Sequence, residues 1–174
     1  MFFSSAFGIV YLGKYRGQYV AIKEINGNIV DEEEIQSFVQ EAELMRKLPK
    51  HPHILNFIGI SPDPFCIITE FVEKGDLADY LKTNNEINEK QKINWMIDIC
   101  EGMEHLALHH IIHRDLATRN CLLDSELNVK ISDFGLSRIA DRNNQIYSKS
   151  EVGPLVNHNF LFLSPIKYCI FRNG

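Results

Sequence analysis

Near residue 76 the pattern of this 174-residue chain changes from strand-like to helix-like, and that change constrains the fold more than any other feature. Upstream, Ile9, Val10, Tyr11 and Leu12, then Tyr19, Val20, Ala21, Ile22 and Lys23, form β-branched and aromatic runs. Residues 13–17, bounded by glycines, read as the hairpin turn between them. Asp31 offers an N-cap ahead of Glu32, Glu33 and Glu34, acids that suit the positive end of a helix. Ile35, Phe38, Ala42, Met45 and Leu48 follow at helical spacing and predict one amphipathic helix, stopped by Pro49 and Pro52. Residues 54–60 and 65–71 read as two more strands around the turn of Ser61, Pro62, Asp63 and Pro64. Downstream, residues 76–81 predict a short helix and residues 88–108 a long one, with Ile93, Met96, Ile97, Cys100, Met103 and Leu106 on one face. The order is a strand-rich lobe carrying one helix, then a helical lobe: an α+β plan in two parts.

The length allows one domain of ordinary size with a real core. With 45% hydrophobic and 24% charged residues, the composition is that of a soluble globular chain and not of a disordered one. A net charge of -5 gives no footing for nucleic acid or for a basic membrane patch. Cys66, Cys100, Cys121 and Cys169 show no paired spacing and read as small buried hydrophobes in a reducing compartment. Residues 1–12 are apolar but lack the basic leader and cleavage pattern of a secretion signal. No apolar run reaches membrane-spanning length, so a cytoplasmic location is expected.

Two short segments carry the chemistry. His113, Arg114, Asp115, Leu116, Ala117, Thr118, Arg119 and Asn120 run consecutively, and Asp133, Phe134 and Gly135 follow. Moving a phosphoryl group from a magnesium nucleotide needs a carboxylate at the attacking hydroxyl, oxygen ligands for the metal, and positive charge at the phosphate oxygens. Asp115, Asn120, Asp133 and Arg119 supply these. A lone Asp-Phe-Gly is a chance turn more often than not; two such segments in this order are a stronger signal. Lys23 ends a strand-like run, a place where lysine is ordinarily only solvated, and Glu41 lies beside the buried stripe of the first helix, where a carboxylate can hold that cation.

These segments resemble the catalytic and metal-binding loops of the protein kinases, and Val20, Ala21, Ile22 and Lys23 resemble that family's strand whose lysine meets the α and β phosphates. The resemblance covers roughly residues 7–155. It implies a bilobal protein-kinase-like α+β fold: a small strand-rich N-lobe over about residues 1–72 and an incomplete helical C-lobe over about residues 73–155. It also implies ATP and Mg2+ as cofactors. Lys23 would be held by Glu41, Asp115 would orient or accept the substrate proton, and Asn120 and Asp133 would hold magnesium. Thr69 resembles the gatekeeper, and the edge-strand carbonyls and amides of Glu70 and Val72 would meet adenine between Val10, Ala21 and Leu122. Gly8 would close the glycine-rich loop. His113 and Phe134, with Met45 and Phe57, resemble the family's packing spine, so His113 is expected to pack and not to bind metal. His51, His53, His105, His109 and His110 show no ligand spacing. Ala117, where serine and threonine kinases usually carry lysine, and Arg119 together resemble the tyrosine kinases, which implies a protein tyrosine substrate. Tyr147, ahead of Gly153, Pro154 and Leu155, resembles the regulatory phosphotyrosine, with Arg114 as its partner.

The chain departs from the family at two places. Counting back from Gly8, Phe3 and Ser5 stand where the loop Gly-x-Gly-x-x-Gly has its first two glycines, and the strand before that loop is expected to be missing. Residues 156–174 read as an unrelated apolar extension, with Phe160, Leu161, Phe162 and Leu163 in a row and no acid after Glu151. Three readings follow: a working tyrosine kinase, of which this truncated chain is expected to be weakly active or inactive; a non-catalytic truncated kinase that binds nucleotide or a partner; or a fragment that does not fold by itself.

Overall fold

The computed structural model describes residues 2–5, 8–24 and 32–139. Asp31, Tyr147, Gly153, Pro154, Leu155, Cys169 and the apolar tail lie outside the described residues. Five strands form one antiparallel sheet: β1 (Phe2–Ser5), β2 (Gly8–Tyr15), β3 (Gln18–Glu24), β4 (Phe57–Pro62) and β5 (Phe65–Glu70), in the order β1-β2-β3-β5-β4. β1 thus occupies the positions read as the start of the glycine-rich loop. β1 pairs with β2 from Phe2 opposite Tyr11 to Ser5 opposite Gly8, so Phe3 and Ser5 are strand residues. An aromatic pair next to an unfilled sheet edge satisfies its backbone groups by joining it.

The β2–β3 turn is tighter than residues 13–17 suggested. Only Arg16 and Gly17 form it, both at positive φ, and Gly13 belongs to the strand. A Cβ at Gly13 would lie 2.5 Å from Ile22 Cδ1, so a larger residue there would require that methyl to move aside. Helix α1 (Glu32–Lys47) buries Phe38, Ala42 and Met45 as the spacing predicts, while Ile35 is exposed and Leu48 packs just past the helix end.

The second lobe opens with α2 (Leu77–Thr83), capped by Asp76 accepting from the Asp79 amide at 2.9 Å, and α3 (Glu89–Leu108), capped by Asn88 accepting from the Gln91 amide at 2.7 Å. Next come β6 (Ile111–Ile112), a single 3-10 turn (Thr118–Asn120), β7 (Cys121–Leu123), β8 (Val129–Ile131) and β9 (Arg138–Ile139). β7 pairs with β8 and β6 with β9.

The apolar face read from the sequence of α3 is not its main buried face. Ile93, Met96 and Ile97 are exposed, whereas Trp95, Ile99, Gly102 and Leu106 are buried. Both stripes are apolar; contacts with β8 and its preceding turn decide between them. Trp95 Nε1 donates to Leu127 O at 2.8 Å, and Asp98 Oδ2 accepts from the Val129 amide at 2.9 Å. Gly102 lets α3 approach His53, since a Cβ there would lie 2.8 Å from both His53 O and Ile131 Cδ1. Leu106, Leu123, Val129, Ile131 and Phe134 are almost wholly buried and join α1 residues Phe38 and Met45 in one core cluster. Cys66 and Cys121 are buried and Cys100 is half-buried. Among the described residues, no helix is long and apolar enough to cross a membrane.

Candidate active site

The sheet register assembles one wall of the site. Val10 pairs with Lys23, Leu12 with Ala21, Ala21 with Thr69, and Lys23 with Ile67. Because side chains alternate along a strand, Val10, Ala21, Lys23 and Thr69 share a face. α1 carries Glu41 to that face, and Lys23 Nζ donates to both Glu41 oxygens at 2.9 Å. The carboxyl is buried, and burial pushes it above its ordinary range; Lys23 pulls it down, and Asp133 adds to the rise.

Asp133 completes a charged triangle, with Oδ1 3.8 Å from Lys23 Nζ. That oxygen is buried without a hydrogen-bond partner among the described residues, on a residue held at φ 62. A buried carboxylate oxygen with no donor is costly unless a cation or ligand completes it. The donor set fits a hard cation such as Mg2+. Asn120 commits its amide nitrogen to Asp115 O at 2.8 Å and Asp115 Oδ2 at 3.0 Å, so any cation it holds is met by its carbonyl oxygen.

Asp115 is buried and firmly oriented. Arg119 Nη2 donates to both its oxygens at 2.8 Å, and the Asp115 amide donates to His113 Nδ1 at 3.3 Å. His113 Nε2 faces Ser132 O at 2.9 Å, so the ring carries its hydrogen there and leaves Nδ1 to accept. Burial holds His113 below its ordinary range, consistent with that neutral ring. His113 packs on Phe134 at 5.3 Å between ring centroids, while Met45, Phe57 and Phe134 line one cavity of about 300 Å³.

The segment leaving β5 differs in detail from the sequence reading. β5 is interior, paired with β3 and β4, and not an edge strand. The Glu70 amide donates to Asn56 O at 3.0 Å and its carbonyl accepts from Thr69 Oγ1 at 3.2 Å, so the Glu70 amide read as an adenine contact is already bonded within the chain. Val72 is buried just beyond, and Leu122 is half-buried on β7. Sequence reasoning missed the strap behind this segment. Lys130 Nζ lies 3.1 Å from both Glu70 Oε1 and Pro52 O, and Glu70 Oε1 accepts from the Asn56 amide at 2.7 Å. A lysine in a short strand gave no signal of such a role. The sequence also missed Arg138, whose guanidinium is held below its usual range by burial and by Arg114.

A family model for protein tyrosine and serine/threonine kinases matches residues 3–164. The chain is 46% identical over 136 residues to the mouse cytoplasmic tyrosine-protein kinase BMX, covering 76% of this chain and 20% of that protein. It is 45% identical over 139 residues to the human tyrosine-protein kinase TXK, covering 78% and 26%. It is also 41% identical over 144 residues to the probable serine/threonine-protein kinase drkB of Dictyostelium discoideum, covering 76% and 20%. The chain thus spans about a fifth to a quarter of the length of these relatives. With the matched span and a fold consistent with an incomplete bilobal kinase, the chain belongs to the protein tyrosine and serine/threonine kinase family.

Proposed function

We propose that this chain carries the catalytic centre of a cytoplasmic protein tyrosine kinase, which moves the γ-phosphoryl group of ATP to a protein tyrosine hydroxyl. The observation that carries the reading is Lys23, bonded to Glu41 at 2.9 Å while lying 3.8 Å from the unpartnered oxygen of Asp133. Magnesium-ATP, when bound, supplies the transferable group and the cation charge. Lys23, kept in place by Glu41, meets the phosphates. Asn120 and Asp133 hold the metal. Val10, Ala21 and Leu122 cover the adenine, the backbone of Glu70 and Val72 orients it beside Thr69, and Gly8 lies at the phosphate end. Asp115 orients the tyrosine hydroxyl and takes its proton, with Arg119 fixing the carboxylate at 2.8 Å. The choice of tyrosine rests on Ala117 and Arg119 and on the named specificity of two of the relatives. Phosphate on Tyr147 would meet Arg114 and Arg138, whose mutual repulsion an anion relieves.

Replacing Lys23 with alanine should weaken magnesium-ATP binding at least tenfold by calorimetry (on the order of one charge-assisted contact); equal affinity would remove the site. Transfer to a tyrosine polymer should exceed that of an Asp115→Asn control by about a hundredfold, the usual worth of a positioned acid–base group. A second reading, a nucleotide- or partner-binding module without transfer, is favoured by Phe3 and Ser5 at the places of the loop's first two glycines, which weakens the hold on the phosphates that transfer needs. Binding of ATP with equal, background transfer in both proteins would select it.

A further inference from the structure

Four imidazoles meet where the loop after α1 crosses α3. The His51 and His105 rings stack at 4.6 Å with 22° between their planes; His105 and His109 lie 4.4 Å apart, and His51 and His53 5.6 Å. The loop is tied to α3 and β8 through these rings. His105 Nε2 donates to Pro49 O at 2.9 Å, and His53 Nδ1 donates to Val129 O at 2.9 Å. The His53 amide donates to His51 Nδ1 at 3.2 Å, and His109 Nδ1 donates to His105 O at 2.8 Å.

The charges around the cluster are uneven. From α3, Glu101 Oε2 lies 3.3 Å and Asp98 Oδ1 3.7 Å from His53 Nε2, so a charge on that ring is compensated. His51 instead faces His105 of α3 and His53 of its own loop, with Lys130 of β8 adding repulsion and Glu101 alone opposing it. Among the described residues no group of three or more His, Cys, Asp or Glu side chains can hold a metal, so the cluster is not a metal site.

We infer that the His51–His105 stack is an acid-sensitive joint between the 49–53 loop and α3, closed when His51 is neutral and loosened when it takes a proton. Stacked imidazoles attract as neutral rings and repel when both are cations. Burial first, then His105 and His53, hold His51 below its ordinary range. The unfolded chain therefore takes up this proton before the folded one. The contribution to stability is whole above about pH 6.5, the ordinary histidine value, and is lost as the pH falls below it. The loop follows directly on the C-terminal end of α1 (Glu32–Lys47), the helix that carries Glu41. The joint stands on its own geometry, whatever the site catalyses.

Two measurements on the full chain test it. In urea titrations between pH 7.5 and 5.5, the unfolding constant of the wild type should rise more than that of His51→Gln, by a factor of at most about 10, the limit set by an unfolded histidine titrating near pH 6.5. Equal pH dependence overturns the joint. In NMR titrations of ring protons, His51 should titrate at higher pH in His105→Phe, which keeps an aromatic ring and removes the charge. An unchanged midpoint overturns it as well, and this comparison decides the matter should His51→Gln fail to fold.

Discussion

Gly102→Ala sets two effects of known sign against each other. In an exposed helix the change would stabilise, because alanine is favoured over glycine by about 1 kcal/mol. Here the new Cβ would lie 2.8 Å from His53 O and 2.8 Å from Ile131 Cδ1. The isoleucine methyl can rotate away. The carbonyl is pinned, since His53 O accepts from the Ile131 amide at 3.0 Å and the same residue's ring is bonded to Val129 O at 2.9 Å. Overpacking a close contact costs about 1–3 kcal/mol, and a pinned backbone partner puts this case at the upper end. The net loss should be about 2 kcal/mol. With a urea slope of about 2 kcal/mol/M, typical of a small domain, the midpoint falls by about 1 M. Equilibrium urea unfolding, followed by tryptophan fluorescence of Trp95 one helical stretch away, measures it. A midpoint that is unchanged or raised would show that α3 is not seated on the loop through Gly102.

Trp95→Phe leaves the Leu127 carbonyl with one donor fewer and should cost about 1–2 kcal/mol in urea unfolding followed by far-UV circular dichroism, since the chain's single tryptophan is removed; no loss would mean that the indole bond adds nothing. Asp133→Asn removes the charge of a carboxylate whose Oδ1 accepts no hydrogen bond among the described residues and should abolish the magnesium dependence of nucleotide affinity in calorimetry without lowering stability in urea by more than about 1 kcal/mol, since no hydrogen bond to that oxygen is lost. Burial keeps His113 neutral in the fold, so its contribution is whole above about pH 6.5 and declines on acidification. Unfolding midpoints that rise between pH 6.5 and 5.5 would contradict that sign.

Much of the site was legible in the sequence because its chemistry depends on residue types at short spacing. Asp115, Arg119 and Asn120 lie within one turn and a short step of each other, and their mutual bonds at 2.8 to 3.0 Å are local consequences of that spacing. The caps Asp76 and Asn88 are local in the same sense, one side chain reaching an amide three residues on. Periodicity likewise gave α1 and its buried Phe38, Ala42 and Met45.

Tertiary structure decided what local pattern leaves degenerate. α3 has two apolar stripes, and periodicity cannot say which meets a core; the Trp95 and Asp98 bonds to the 127–129 segment, with the space at Gly102, choose one. β5 and the segment that follows it read as an edge until β4 pairs on its far side. β1 was invisible because four residues without clear alternation become a strand only when a neighbouring edge offers hydrogen bonds. The Lys130 strap and the histidine stack join residues more than fifty positions apart, such as His51 with His105 and Pro52 with Lys130. Sequence specified which groups the chain carries; only packing of the two lobes' elements brings them within hydrogen-bond reach, because those distances are set by long-range burial and not by the local backbone.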